Sequence, residues 1–116
     1  QTKQFGMISI PGALTPSEIV AAEQAGADYV KLFPVSSLGP EYVKSILAPL
    51  NGVKLLAVGG VSRETTAEYL SAGCVGFGVG GGIVNRKLCE EKRFDEIAIN
   101  AKLWSDAAGT GENKRD

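Results

Sequence analysis

The sequence predicts an α/β fold of parallel strands joined by helical crossovers. Four short apolar runs, at residues 6–10, 28–33, 53–58 and 75–79, begin 22, 25 and 22 residues apart. Each gap between them carries a helical signal, and such β/α alternation means parallel strands with right-handed connections. Two architectures fit: an open doubly wound sheet, or half of a (β/α)8 barrel, which needs eight units and about 250 residues. Four units cannot close a barrel. They leave an open strand edge and the inner face of the sheet uncovered, so the chain is expected to belong to a larger protein or to assemble with other copies.

The helices follow in order. Thr15-Pro16-Ser17-Glu18 opens the first, with Thr15 suited to the N-cap, Pro16 to the first turn and Glu18 to the third helical position of a capping box. Gly26 suits the residue just past its end. The second begins near Gly39-Pro40, places Val43, Ile46, Leu47 and Leu50 at helical spacing, and ends at Pro49. Ser62 is expected to cap the third, which carries Tyr69 and Leu70 and stops at Gly73. A last helix is expected over 94–104, with Ile97, Ala101 and Trp104 on one stripe. Residues 1–108 read as the half-barrel domain, and 109–116, polar and glycine-bearing, as a disordered tail.

Composition narrows the chemistry. The chain has 116 residues, 44% of them hydrophobic, and a formal net charge of -1 from 12 basic and 13 acidic side chains. That balance points to neither nucleic acid nor an anionic membrane as partner. No apolar run approaches the roughly 20 residues that span a bilayer, and no signal peptide is visible. The chain opens on Gln1 rather than Met, so preceding residues are expected to be missing. Cys74 and Cys89 have no metal or redox spacing, and reduced thiols in a cytoplasmic protein are the expectation. There is no histidine, which excludes histidine-based triads and imidazole acid–base work within this chain.

One lysine stands out. In Asp28-Tyr29-Val30-Lys31-Leu32-Phe33-Pro34, side-chain alternation puts Tyr29, Lys31 and Phe33 on one face of a strand and Val30 and Leu32 on the other, under the helices. A lysine facing an interior is costly unless its ammonium gives up the proton. A neutral lysine condenses with carbonyls to form a Schiff base. In a barrel the inward face near the C-terminal end of a strand looks into the active-site mouth, and Lys31 sits near that end. The bland reading is a gatekeeper lysine on an edge strand.

Glycines cluster after the last two runs, as Gly59-Gly60 and as Gly78, Gly80, Gly81 and Gly82 around Val79. Glycine lets backbone N–H groups approach an anion closely, and barrels often bind phosphate in the loops after strands seven and eight. The bland reading is tight strand-to-helix turns. Gly76-Phe77-Gly78-Val79-Gly80-Gly81 also satisfies the dinucleotide pattern, but only helix and tail follow it, so the βαβ context that pattern needs is absent. Pro11-Gly12 is expected to turn at the same rim, Glu18 to cap a helix rather than act as a base, and Asp28 to be a solvated surface residue.

Over residues 8–84 the chain resembles the C-terminal half of the 2-keto-3-deoxy-6-phosphogluconate / 4-hydroxy-2-oxoglutarate aldolase family. The resemblance rests on Ile10-Pro11-Gly12 with Thr15-Pro16-Ser17-Glu18, on Val30-Lys31-Leu32-Phe33-Pro34, on Gly39-Pro40, and on Val58-Gly59-Gly60-Val61 and Gly78-Val79-Gly80-Gly81. The 2-keto-3-deoxy-6-phosphogalactonate aldolases look at least as similar, particularly over 57–60 and Ala72-Gly73-Cys74.

This resemblance implies a (β/α)8 barrel acting as a homotrimer. It implies a metal-independent class I aldolase without cofactor, which cleaves a keto acid to pyruvate and an aldehyde. The family's Schiff-base lysine falls on Lys31 and its neighbouring aromatic on Phe33. The phosphate or distal-hydroxyl end of the substrate falls on Gly59, Gly60, Gly81 and Gly82. The family's glutamate proton shuttle and carboxylate-binding arginine lie in the absent first half. Ala57-Val58 replaces a frequent Pro-Thr, and Gly82 a frequent serine. Two hydroxyls are thereby lost, which leaves open the choice among phosphogluconate, phosphogalactonate and unphosphorylated hydroxy-oxoglutarate substrates. Another phosphate-binding barrel, an isomerase or synthase in which Lys31 is only a charge partner, and a truncated, inactive half-barrel are the alternatives.

Overall fold

Four parallel strands lie side by side in the order in which they occur in the chain. The computed structural model describes residues 1–109. After a 3-10 turn at Thr2–Phe5 come β1 (Gly12–Ala13), α1 (Pro16–Gln24), β2 (Val30–Leu32), α2 (Gly39–Leu47), β3 (Leu55–Val58), α3 (Thr66–Ser71), β4 (Gly76–Gly78), α4 (Arg86–Glu90) and α5 (Phe94–Gly109). A doubly wound sheet reverses its strand order and is covered on both faces. A sheet that keeps chain order, with every crossover of the same hand, carries its helices on one face only. That is the arc of a barrel.

The helix-covered face is the core. Val30, Leu32, Leu55 and Ala57 of β2 and β3 pack against Ile19, Val43, Ile46 and Tyr69 of the helices. Leu32 and Leu55 are wholly buried, and burying each is worth about 1.5–3 kcal/mol. Tyr69 satisfies its buried hydroxyl by donating to the Val35 carbonyl at 3.1 Å. On the opposite face, Gly12, Lys31, Leu56 and Gly76 align across the four strands. Gly76 and Gly78 leave room there for their neighbours: a Cβ at Gly78 would fall 2.9 Å from Val58 Cγ2, and one at Gly76 3.2 Å from Leu56 Cδ2.

Local signals set α1 as expected. Thr15 Oγ1 accepts from the Glu18 N–H, the Glu18 carboxylate accepts from the Thr15 N–H, and Pro16 opens the first turn. Gly26, past its end, takes a φ of 87°. The second helix also starts at Gly39 as read, and Pro49 lies just beyond its end.

Several expectations are corrected. The run at 6–10 is not a regular strand: Gly6 closes the opening 3-10 turn in the left-handed region. The Ser9 and Pro11 carbonyls do accept from the Tyr29 and Lys31 N–H groups, but regular pairing is confined to Gly12–Ala13. Pro11 has no N–H to give, and among the described residues no strand lies on its other side to hold the edge. Pro11-Gly12 therefore leads into the strand rather than turning away from it.

Ser62 does not cap α3. It exchanges hydrogen bonds with Thr65 in the turn before the helix, and the N-cap position falls on Thr65. The last helix runs on to Gly109. On its inner stripe Trp104 is buried and Ile97 and Asn100 are half-buried, with Ala101 exposed. Asp28 is more than a solvated residue: it accepts from Lys3 Nζ at 2.7 Å and from the Ser9 N–H at 2.7 Å, tying the N-terminal segment to the start of β2. These bonds, the Lys3 one first, hold its carboxyl below the usual range. α4 was not foreseen. Of the tail expected at 109–116, Gly109 ends α5, and the other positions lie outside the described residues. No helix among the described residues is long and apolar enough to cross a membrane.

Candidate active site

Lys31 is presented by the middle of β2. Its N–H donates to the Pro11 carbonyl at 2.8 Å, and its strand neighbours Val30 and Leu32 are anchored in the core at 1% and 0% exposure. The backbone that carries the lysine is therefore held from the edge strand and from below. The side chain leaves on the uncovered face and is half-buried. Among the described residues it makes no ion pair. Its Nζ lies 4.6 Å from the centroid of the Phe33 ring, within cation–π reach.

Lys31 and Phe33 open onto a shallow cleft of about 240 Å³, whose other walls are Gly12, Ala13, Leu14 and Glu18. Glu18 is committed to the helix end. One of its oxygens accepts from the Leu14 and Thr15 N–H groups, both at 2.8 Å. These backbone bonds, that to Thr15 foremost, hold its carboxyl below its usual range, which makes it a poor proton acceptor. The reading of Glu18 as a cap therefore stands, although its place on the rim of the Lys31 cleft was not foreseen. A capping box directly after a strand puts its third helical residue at the strand's C-terminal rim, and that is the signal that locates it. Tyr42 of α2 donates to the Leu14 carbonyl at 2.8 Å and ties the same loop down.

Phe33 is followed by a cis bond to Pro34. The Val35 N–H then reaches the Val58 and Gly59 carbonyls at 3.1 and 3.2 Å, so the end of β2 crosses over the end of β3. Gly59 and Gly60 are glycine because of that crossing. Their φ values are 85° and 84°, and a Cβ would fall 2.7 Å from Phe33 Cε2 at Gly59 and 2.3 Å from Ser36 Cβ at Gly60. Lys31, Phe33 and Gly59 thus form one contiguous line along the rim. The tight-turn explanation accounts for the absence of side chains at 59 and 60. Among the described residues their N–H groups have no partner, so both remain open to an anion.

Gly81 and Gly82 stand on the next loop, after β4, whose Gly78 pairs with Val58. The Gly80 carbonyl closes that turn by accepting from the Ile83 and Val84 N–H groups. Nothing lies within 4 Å of where a Gly81 Cβ would be, whereas a Gly82 Cβ would fall 2.9 Å from Trp104 Cζ2. The two glycine loops share the C-terminal rim of adjacent strands.

This architecture has relatives. The family model for KDPG and KHG aldolases matches residues 1–99. A 2-dehydro-3-deoxy-6-phosphogalactonate aldolase of Escherichia coli (strain K12) is 36% identical over 104 residues, covering 89% of this chain and 51% of that protein. A 2-dehydro-3-deoxy-phosphogluconate aldolase of Haemophilus influenzae (strain ATCC 51907 / DSM 11121 / KW20 / Rd) is 30% identical over 88 residues, 75% of this chain and 42% of that protein. Among solved structures, one described as native KDPGal superposes with a TM-score of 0.77 at 34% identity, over 92% of this chain and 52% of that one. The chain thus spans about half the length of the relatives it matches. Its four parallel strands and their helices match half of an aldolase-type barrel, and the chain belongs to the KDPG and KHG aldolase family.

Proposed function

We propose that the protein carrying this chain is a class I aldolase. It splits a 2-keto-3-deoxy-6-phospho sugar acid, or 4-hydroxy-2-oxoglutarate, into pyruvate and an aldehyde, glyceraldehyde 3-phosphate or glyoxylate. Lys31 is the catalytic nucleophile. The observation that carries this reading is the placement of Lys31: a half-buried lysine without an ion pair among the described residues, at the centre of the uncovered sheet face, opening onto a cleft.

The steps follow from the amine. Neutral Lys31 Nζ adds to the C2 ketone, and loss of water leaves an iminium. The C4 hydroxyl gives up its proton and the C3–C4 bond breaks. Its electron pair moves into the iminium to form an enamine, and the aldehyde departs. Protonation of the enamine at C3 and hydrolysis release pyruvate and restore the amine. The iminium accepts the electron pair, and no metal is needed for that task. Phe33 lines the pocket beside the amine. Gly59, Gly60, Gly81 and Gly82 take the phosphate or distal hydroxyl with backbone donors.

Glu18 is spent on its cap, so the proton acceptor and the carboxylate-binding group come from the rest of the barrel, and the isolated 116-residue chain is expected to be weak or inactive. The working molecule is a cytoplasmic homotrimer. The test is a retro-aldol assay of the full-length protein in which pyruvate release is coupled to lactate dehydrogenase. Lys31→Arg keeps the charge but cannot form the imine, and pyruvate release should vanish. Retained pyruvate release by Lys31→Arg would contradict the Schiff-base role, and absence of pyruvate release from the unsubstituted protein would favour a barrel isomerase or synthase in which this lysine is only a charge partner.

A further inference from the structure

Trp104 lies 22 residues beyond Gly82 and returns to it. The indole is buried at 6% exposure and donates its N–H to the Gly82 carbonyl at 3.2 Å. Its ring packs on Phe77 of β4, with centroids 5.7 Å apart. A Cβ at Gly82 would meet Cζ2 at 2.9 Å and both Cε2 and Nε1 at 3.2 Å. One side chain therefore fills the space a residue larger than glycine would need at 82, and also fixes the carbonyl of that residue.

The loop it holds is short of other restraints. The turn bonds of Gly80 leave the Gly81 and Gly82 N–H groups without a partner among the described residues. Glycine has the most backbone freedom to lose on ordering, and fixing it costs conformational entropy. A loop ordered before the ligand arrives spares the ligand that cost. α5 is long, and its tryptophan wedges between β4 and the loop, so it supplies that order from a rigid element.

We propose that Trp104 is a positioning residue that presets the Gly81–Gly82 backbone for the substrate's phosphate. Gly82 and Trp104 are a matched pair, in which the indole occupies the room a serine would take and leaves anion recognition to backbone N–H groups. This rests on the aldolase reading above and on Gly81 and Gly82 lying at the phosphate end.

The experiment uses the full-length protein and the variant Trp104→Phe, which keeps an aromatic ring against Phe77 and removes the N–H. The KM for the phosphorylated keto acid should rise about tenfold, the effect of one hydrogen bond, with kcat little changed. Competitive inhibition by inorganic phosphate should weaken by the same factor. The KM for 4-hydroxy-2-oxoglutarate and covalent trapping of pyruvate on Lys31 should not move, and a merely structural role would shift them all. If Trp104→Phe fails to fold, benzothienylalanine in place of Trp104 carries the test, since it keeps the shape of the indole, lacks only the N–H and should produce the same split. Equal effects on both substrates, no effect on either, or absence of phosphate inhibition in the unsubstituted protein would overturn the proposal. Failure of the aldolase reading looks different: the unsubstituted protein would then form no pyruvate adduct on Lys31 at all.

Discussion

The Lys31 Nζ stands 4.6 Å from the centre of the Phe33 ring, two residues further along the same strand. The ring in turn lies over Gly59, where a Cβ would approach it to 2.7 Å. Phe33 thus connects Lys31 to the first glycine loop. Because Phe33 is 48% exposed, its contribution to the core is small. Phe33→Leu should change folding stability by no more than about 1 kcal/mol, the scale of an exposed cation–π contact. The same variant should lower kcat/KM by about tenfold, equivalent to about 1.4 kcal/mol. Urea unfolding beside steady-state kinetics checks both.

Glycine loops on the same rim should respond differently to alanine. Gly59→Ala and Gly60→Ala each force a side chain into left-handed backbone, onto Phe33 or Ser36. Each should cost about 1–3 kcal/mol of stability. Gly81→Ala meets nothing within 4 Å and should stay within about 0.5 kcal/mol of the unsubstituted protein. Thermal and urea denaturation of the three variants gives the comparison.

The two thiols should separate cleanly. Cys89 is exposed and Cys74 buried, so a disulfide reagent should modify Cys89 in the native protein and Cys74 only on unfolding. Burial pushes the Cys74 thiol up to about 11 from an ordinary 9.0, against a smaller opposing effect of a backbone hydrogen bond with Ala57. The folded state therefore favours the neutral thiol. Its contribution to stability is present below about pH 9 and is lost as pH rises through about 11. Cys74→Ala should flatten that alkaline decline. An unchanged slope would show that other groups cause it.

What the sequence made legible was what neighbouring residues decide among themselves. α1 could be read because Thr15, Pro16, Glu18 and Gly26 act within one or two turns of the helix they delimit. Lys31 could be placed opposite Val30 and Leu32 because alternation along a strand is local. The edge strand could not be read from its apolar residues: Met7, Ile8 and Ile10 remain exposed on the rim of the sheet, and regular pairing falls where β2 offers partners, at Gly12–Ala13. Nor could the reason for each glycine. Gly60 is set by Ser36 and Gly82 by Trp104, contacts formed only once distant segments meet. α4 escaped notice because five residues carry too little periodicity to detect, although Asn85 accepts from the Leu88 N–H in the manner of a helix cap.

The central claim is that Lys31 forms a covalent imine with the substrate ketone. The full-length protein, incubated with pyruvate and reduced with borohydride, should carry a stable adduct that peptide mapping by mass spectrometry places on Lys31. Lys31→Arg, treated alike, should carry none. An unmodified Lys31 peptide from protein that is folded and active would contradict the account.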